Sequence, residues 1–379
     1  MTVRDVLIVG AGPTGMLLAA LLAERGLDVA LVERRVERSA HSRAIGIHPP
    51  GLEVLAAAGV GDQALKTGLR IPAGRVLLGG RDVGGVDFGA VPGDYPFVLS
   101  LPQQITELLL ERRIVALGVP VLQGDVHAVR QDDDSATVMT ERGELRARLV
   151  VGADGVRSTV RRALGLRWHP RPGSGRYLMA DLATPGRSDV AAIHLHRDGV
   201  VEALPLPGDA VRWVARSRTA ERAEHLAQLV RYRTGIRINP MAASMVSSFT
   251  AAQHIAGGMV AGRVALLGDS AHQVSPIGGQ GMTLAWTAAR DLADLLPAAL
   301  DRPELLGAYE HRTRARARRA LAQAWANTAA GAPAIEPVHL VRSAAVGLVA
   351  GRRARDAAAR AFAMTWAAPH ASTRTTLEG

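Results

Sequence analysis

Continuous apolar runs alternate with a helical pattern at the start of the chain. Residues 5–9 form a short, mainly apolar run that ends at a glycine, which is typical of a strand buried in a parallel sheet. Residues 13–25 are rich in leucine and predict a helix that ends at Gly26. Residues 29–32 predict a second buried strand, and Glu33 follows it directly. This segment is therefore predicted to be a βαβ unit.

Two patterns divide the rest of the chain. Apolar runs and helical patterns like those of the βαβ unit recur later in the chain. They predict helices at 106–116 and 281–296, strands at 119–122, 149–151 and 264–267, and a hairpin over 126–145. Between residues 168 and 260, short runs of alternating apolar and polar residues predict an antiparallel sheet instead. The chain from residue 303 onward predicts mostly helix. We therefore expect an α/β domain interrupted by a sheet domain and followed by helices.

Composition excludes several classes of site. The 379 residues contain no cysteine, so a disulfide framework, a thiolate metal site and a cysteine nucleophile are excluded, and no metal is expected. The net charge is +10, and Lys66 is the only lysine. This charge suits nucleic acid, but aromatic residues are only 3% of the chain and supply few platforms for base stacking. A biased arginine-rich composition is the favoured explanation, with no nucleic-acid partner.

The sequence also carries no membrane signal. No run approaches the ~18 apolar residues that a spanning helix needs, and the first residues enter a strand pattern without the layout of a signal peptide. We therefore expect a cytoplasmic protein with no membrane partner.

A glycine-rich turn links the first predicted strand to the first predicted helix. Gly10, Gly12 and Gly15 have G-x-G-x-x-G spacing, with Pro13 and Thr14 between the last two. Such glycines allow a tight turn, a close approach of the backbone to a pyrophosphate, and close packing of helix on sheet. Glu33, after the second strand, is placed to bind a ribose diol. The motif predicts a dinucleotide site without deciding between FAD and NAD(P).

A second glycine-rich segment follows the predicted strand at 264–267. Asp269 comes directly after this strand, and Pro276 and the run Gly279, Gln280, Gly281 and Met282 lead into the long helix. An aspartate there is suited to accept a hydrogen bond from a ribityl hydroxyl. The positive end of the helix would stabilise negative charge on a reduced flavin.

A third turn follows the predicted strand at 149–151. Asp154 and Gly155 lead into a short basic segment. Capping of a helix by Asp154 explains this pattern as well as a cofactor contact does.

Taken in order, the three segments resemble those of the class A FAD-dependent monooxygenases of the p-hydroxybenzoate hydroxylase type. The stretches around Arg34, Arg43 and Gln103 also resemble this family. The resemblance covers roughly residues 4–300. Within the family, the sequence is most similar to hydroxylases that tailor polyketides or other aromatic natural products. The resemblance implies an FAD-binding domain at 1–75, 98–167 and 256–300, a substrate-binding sheet domain at 76–97 and 168–255, and C-terminal helices at 301–379.

The resemblance also implies roles and partners. Arg34, Arg43 and Gln103 would contact tightly but non-covalently bound FAD, and Asp154 would lie near its phosphates. Asp269 would hold the ribityl chain, and Pro276 with residues 279–282 would line the isoalloxazine ring. NAD(P)H would serve as a transient co-substrate and O2 as oxidant, through a flavin C4a-(hydro)peroxide. The substrate would be a hydrophobic aromatic or polycyclic molecule, and the protein a monomer or homodimer.

Three positions depart from the family pattern. Thr283 and Asp291 stand where asparagine is usual, and His254 stands where an arginine is common. These departures motivate a second hypothesis, a protein that binds FAD but catalyses a non-redox cyclisation on the same scaffold. No catalytic base can be named from the sequence.

Overall fold

The computed structural model describes residues 3–36, 44–217, 222–350 and 355–368. The predicted FAD contact Arg43 lies outside these residues. The described strands are β1 Arg4–Val9, β2 Val29–Glu33, β3 Gly46–Ile47, β4 Leu69–Ile71, β5 Ala73–Leu78, β6 Arg81–Asp87, β7 Val98–Ser100, β8 Val121–Gln123, β9 Val126–Gln131, β10 Ala136–Thr140, β11 Gly143–Gly152, β12 Trp168–Ala183, β13 Ala191–Leu195, β14 Val201–Leu206, β15 Ala210–Arg216, β16 Ala243–Ala256, β17 Val260–Ala261, β18 Val264–Leu266 and β19 His272–Gln273. The described α-helices are α1 Pro13–Ala23, α2 Pro49–Ala57, α3 Gly61–Thr67, α4 Gln103–Ala116, α5 Thr159–Ala163, α6 Ala223–Thr234, α7 Gln280–Ala299, α8 Leu306–Ala330, α9 Glu336–Ala350 and α10 Arg355–Phe362.

The first sheet has a parallel centre in the order β18-β11-β1-β2-β8. Val9 lies opposite Gly152 of β11 and Val32 of β2, and Gly152 lies opposite Leu266 of β18. The carboxyl ends of four strands therefore meet at one edge. The predicted site residues Gly10, Glu33, Asp154 and Asp269 lie at or shortly after these four ends, which is where ligands bind in open α/β sheets.

Helices pack on both faces of this sheet. The apolar helix α1 packs between the sheet and helices α4 and α7, with Leu17, Leu21, Leu110 and Trp286 in one buried cluster. Helix α8 closes the other face, where Leu321 belongs to a second buried cluster. Burial on both faces explains why the strands read as continuous apolar runs.

The second sheet has the order β19-β16-β12-β15-β14-β13-β5-β6 and is antiparallel except for the β13–β5 pair. Its side chains alternate between two faces, as the sequence pattern predicts. One face, with Leu178 and Trp213, packs against Leu226 of α6. The other face carries Met179 and Val214 and is turned toward the first sheet's ligand edge. The α/β fold with an interrupting antiparallel sheet and a helical C-terminus is confirmed.

Two smaller features complete the fold. Strands β3, β7 and β4 form a three-stranded sheet. Helices α9 and α10 pack on β6 at the far edge of the second sheet. Within the described ranges, no helix is both long and apolar enough to cross a membrane.

Candidate FAD and substrate site

A cavity of about 1550 Å³ lies between the ligand edge of the first sheet and the inner face of the second. Pockets for one small molecule span roughly 300–1,000 Å³, so this volume has room for a cofactor and a second molecule. Most of the predicted cofactor contacts line it, namely Gly10, Gly12, Pro13, Thr14, Glu33, Arg34, Gln103, Asp154, Asp269, Pro276, Gly279, Gly281 and Met282. Helices α8, α9 and α10 also contribute to its wall.

The glycines of the first turn differ in what surrounds them. Gly10 has a φ of +105°, and a Cβ there would lie 2.5 Å from the carbonyl oxygen of Ala153. A Cβ on Gly15 would lie 2.0 Å from the carbonyl oxygen of Gly10, so helix α1 can pack this closely only with glycine there. A Cβ on Gly12 meets nothing within 4 Å, because this residue borders the cavity. The backbone is thus exposed to a ligand at Gly12.

The carboxylate of Glu33 is held at the end of β2. The backbone amides of Ala11 and Arg35 each donate a hydrogen bond to it at 2.9 Å. Burial raises the pKa of Glu33, but hydrogen bonds from the Arg35 side chain and from these amides outweigh burial and hold its pKa below the ordinary value. An ionised carboxylate at this point is ready to accept hydrogen bonds from a ribose diol.

Asp154 uses its two carboxylate oxygens differently. Its Oδ2 accepts hydrogen bonds from the backbone amides of Thr159 at 2.7 Å and Val160 at 3.1 Å, which adds to the cap that Ser158 provides at the start of α5. Its Oδ1 is buried and has no hydrogen-bond partner among the described residues. The capping interpretation is therefore correct for one oxygen, while the residue still lines the cavity with a free acceptor.

Asp269, which follows β18, and the start of α7 both border the cavity. The Asp269 carboxyl is open to the cavity, which lies deep in the protein, and desolvation raises its pKa to about 6. Gly278 and Gly279 have φ values of +96° and +67°, and they turn the chain into α7. No side chain caps this helix, and its first turn contains no acidic residue. Its amide groups near Gly281 and Met282 therefore remain available to an electron-rich ligand.

The inner face of the second sheet forms the apolar part of the cavity. Its lining includes Val76, Met179, Ile193, Leu195, Leu204, Val214 and Phe249. Glu202 interrupts this surface: it is only 8% exposed, and its carboxyl has no hydrogen-bond or ion-pair partner among the described residues. Burial raises its pKa to about 7. Sequence reasoning missed Glu202, although the alternation along β14 places it on the same face as Leu204.

The comparisons with known proteins identify the family. The chain matches the model of the FAD binding domain over residues 4–324. This chain belongs to that family. Rifampicin monooxygenase of Streptomyces venezuelae is 33% identical over 311 residues, covering 78% of this chain and 64% of that protein. The 6-methylpretetramide 4-monooxygenase of Streptomyces rimosus is 32% identical over 326 residues, covering 80% and 58%. The chain thus spans less than two thirds of the length of either relative.

Solved structures show the same scaffold. The Diels-Alderase PyrE3 of pyrroindomycin biosynthesis is 25% identical to this chain and superimposes with a TM-score of 0.80, covering 95% of this chain and 80% of that one. The resemblance to FAD-dependent monooxygenases is confirmed at the level of family and fold.

FAD, the cofactor of this family, fits the polar part of the cavity. The N-termini of α1 and α7 both border it, and neither has a side-chain cap or an acidic residue in its first turn. Two positive helix ends suit a pyrophosphate and an electron-rich flavin edge. The open space at Gly12 and the unpartnered Oδ1 of Asp154 provide further room and hydrogen-bonding capacity.

Two predicted FAD contacts do not line the cavity. Gly15 lies against Gly10 and serves the packing of α1 on the sheet. Gln280 is fully buried, and neither its Oε1 nor its Nε2 has a partner among the described residues. Their direct contact with FAD stays a prediction, as do the contacts of the residues that line the cavity.

Thr283, one of the departures from the family pattern, has a structural role in this chain. Thr283 accepts a hydrogen bond through Oγ1 from the backbone amide of His48 at 3.2 Å. His48, which sequence reasoning missed, lines the cavity and donates through Nε2 to the carbonyl of Gly278 at 3.1 Å. Burial lowers its pKa to about 4, so the ring is neutral at pH 7. Thr283 and His48 thereby support the turn that precedes α7.

His254 occupies the position where an arginine is common. Its ring stacks on Trp168 with centroids 5.1 Å apart, and its Nδ1 lies 3.0 Å from Oε1 of Gln273. The guanidinium of Arg161 lies 3.9 Å from the centroid of the same Trp168 ring. The histidine therefore belongs to a packed aromatic and cationic stack.

Proposed function

We propose that this chain is an FAD-dependent monooxygenase that uses NAD(P)H and O2 to oxidise an aromatic or polyketide-type molecule. The reaction is hydroxylation or Baeyer–Villiger insertion of one oxygen atom. The observation that carries this proposal is a continuous cavity that joins the cofactor edge of the first sheet to a mainly apolar wall. Monooxygenases of rifampicin and 6-methylpretetramide among its relatives support the choice of substrate class.

The chain's own residues bind and orient the cofactor in this proposal. Glu33 accepts hydrogen bonds from the ribose, and Arg34 and Gln103 add polar contacts. The N-terminus of α1 binds the pyrophosphate, and Asp269 holds the ribityl chain. The N-terminus of α7 stabilises negative charge at the flavin edge. When bound and reduced, FAD supplies the activation of O2 and the transfer of one oxygen atom.

The apolar wall excludes water from the reacting groups. The division into a cofactor domain at 1–75, 98–167 and 256–300, a substrate domain at 76–97 and 168–255 and helices at 301–379 is part of the proposal. It is supported by the strands β5 and β6, which join β12–β16 in one sheet. A cytoplasmic location and a monomeric or homodimeric state also belong to the proposal.

The purified protein tests the proposal directly. We expect a flavin absorption spectrum, reduction of the flavin by NAD(P)H without oxygen, and NAD(P)H oxidation in air that rises when an aromatic polyketide is added. Labelled O2 should deliver one oxygen atom to the product. A protein that neither contains nor takes up FAD would contradict the proposal.

A non-redox cyclase is the second candidate. The similarity to the Diels-Alderase PyrE3 and the histidine at position 254 favour it. In that case FAD would remain bound but NAD(P)H would not reduce it, and product formation would continue in the absence of O2. The anaerobic reduction experiment therefore separates the two candidates.

A further inference from the structure

Glu202 lies in the middle of the apolar face that lines the cavity. On the neighbouring strands it is opposite Ile193 of β13 and Val214 of β15. The same face packs on Ile277, in the segment between Pro276 and Gly279. A molecule in the apolar part of the cavity would therefore contact both the Glu202 carboxyl and the segment predicted to line the flavin.

Two arginines of the second sheet that line the cavity are already paired with carboxylates. Arg212 donates to both carboxylate oxygens of Asp181, at 2.6 and 2.8 Å. Arg75 donates to Asp82 at 2.9 Å. These pairs leave the Glu202 carboxyl without a cation.

Burial, with a contribution from the charge of Glu202, raises the pKa of Tyr177 on β12, but the Tyr177 hydroxyl makes no hydrogen bond among the described residues. The cations of the remaining elements do not pair with Glu202 either. The Arg216 guanidinium lies 5.8 Å from the ring centroid of Tyr177 and donates to the carbonyl of Thr328. Arg342 of α9 donates to the carbonyl of Ala332. A buried carboxylate without a partner is costly, so a hydrogen-bond donor on a molecule in the cavity would stabilise the ionised form of Glu202.

We propose that Glu202 binds a phenolic hydroxyl group of the substrate and accepts its proton. This inference rests on the proposed function, which supplies an aromatic substrate. In the step, the phenolic O–H bond breaks, the proton bonds to one carboxylate oxygen of Glu202, and the electron pair stays on the substrate oxygen. The resulting phenolate makes the ring more electron-rich and so more reactive toward an electrophilic oxygen donor.

The chemistry of the site suits this proton transfer. Burial raises the pKa of Glu202 to about 7, closer to the ordinary phenol value of about 10. A base whose pKa lies near the working pH is the most effective one. The same carboxyl would also bind an ammonium group on the substrate. Only a phenol would form a phenolate there, and phenolate formation can be measured.

The first test compares the binding of two probes to the FAD-loaded protein by equilibrium dialysis. p-Nitrophenol carries the hydroxyl, and p-nitroanisole is its methyl ether. Because a hydrogen bond to a charged group is one of the stronger kinds, we expect the wild type to prefer the phenol by about tenfold or more near pH 7. Glu202→Leu should abolish the preference. Glu224→Gln, which removes an exposed carboxyl from α6 on the opposite face of the sheet, should retain it.

The second test follows the visible absorption of bound p-nitrophenol as the pH is raised. In the wild type, phenol and Glu202 share one negative charge, so ionisation should occur in two coupled steps with the second displaced to higher pH. Glu202→Gln keeps a hydrogen-bond acceptor but cannot take the proton, so it should give one step. Equal affinities for phenol and ether in the wild type, or identical curves in wild type and Glu202→Gln, would overturn the proposal.

These experiments need neither NAD(P)H nor O2. If the wild type prefers the phenol but shows no substrate-stimulated oxidation of NAD(P)H, only the proposed monooxygenase activity is rejected. If the wild type oxidises NAD(P)H normally but binds the phenol and its ether equally well, only the role of Glu202 is rejected.

Discussion

Gly10 and Gly12 belong to the same turn but differ in the effect expected from an added methyl group. Gly10→Ala places a Cβ 2.5 Å from the Ala153 carbonyl oxygen at a φ of +105°. We expect it to lower the free energy of unfolding by about 2 kcal/mol or more, as measured by urea denaturation. Gly12→Ala meets no protein atom within 4 Å. It should leave stability nearly unchanged and weaken FAD binding by roughly tenfold. Equal losses of stability in both variants would contradict this assignment.

The burial of Glu202 predicts that the free energy of unfolding depends on pH. Burial raises the pKa of Glu202 from the ordinary value of 4.5 to about 7. The unfolded chain therefore loses this proton at lower pH than the folded chain does. As the pH rises from the unfolded to the folded pKa, the wild type should lose roughly 3 kcal/mol relative to Glu202→Gln, with no further loss above it.

The measurement is the difference in unfolding free energy between wild type and Glu202→Gln, at about pH 4 and about pH 8, in the FAD-free protein. A difference that does not change with pH would mean that the folded-state pKa of Glu202 is not raised.

At the scale of elements, α7 and α8 are joined by an ion pair. Asp291 of α7, where the family usually has asparagine, pairs with Arg316 of α8, and both are nearly buried. Arg316→Met removes the cation and leaves the carboxylate unpaired, so we expect a loss of about 3–5 kcal/mol in unfolding free energy. The double variant Asp291→Leu/Arg316→Met should regain most of this loss. A double variant as unstable as the single one would contradict the ion-pair explanation.

The elements that could be predicted from sequence are those whose signals are local. Strands β1 and β2 are buried on both faces and read as apolar runs, and the turn at Gly10 has its own glycine spacing. Glu202 becomes part of the site instead because its face of the second sheet packs on Ile277, which lies far along the chain beside the start of α7. His48 was missed for the same reason, because its partner Thr283 is 235 residues away.

At the scale of the whole molecule, the C-terminal helices help to close the cavity that the two sheets form. Phe362 of α10 lines this cavity, and its ring contacts His48 edge-on at 5.7 Å and Phe88 at 6.1 Å between centroids. The sequence predicted helices beyond residue 303 but no part for them in the site, because the docking of a helix on a distant strand leaves no local pattern.

Because α10 covers the cavity, we expect it to affect how much of the NAD(P)H oxidation leads to oxygenated product. Phe362→Ala should keep FAD but admit water beside it, so that under the proposed function a larger share of NAD(P)H oxidation yields hydrogen peroxide instead of product. The ratio of peroxide to product measures this effect, and Phe362→Leu, which preserves most of the apolar volume, is the matched control. An unchanged ratio in Phe362→Ala would mean that α10 covers the cavity without protecting the reaction from water.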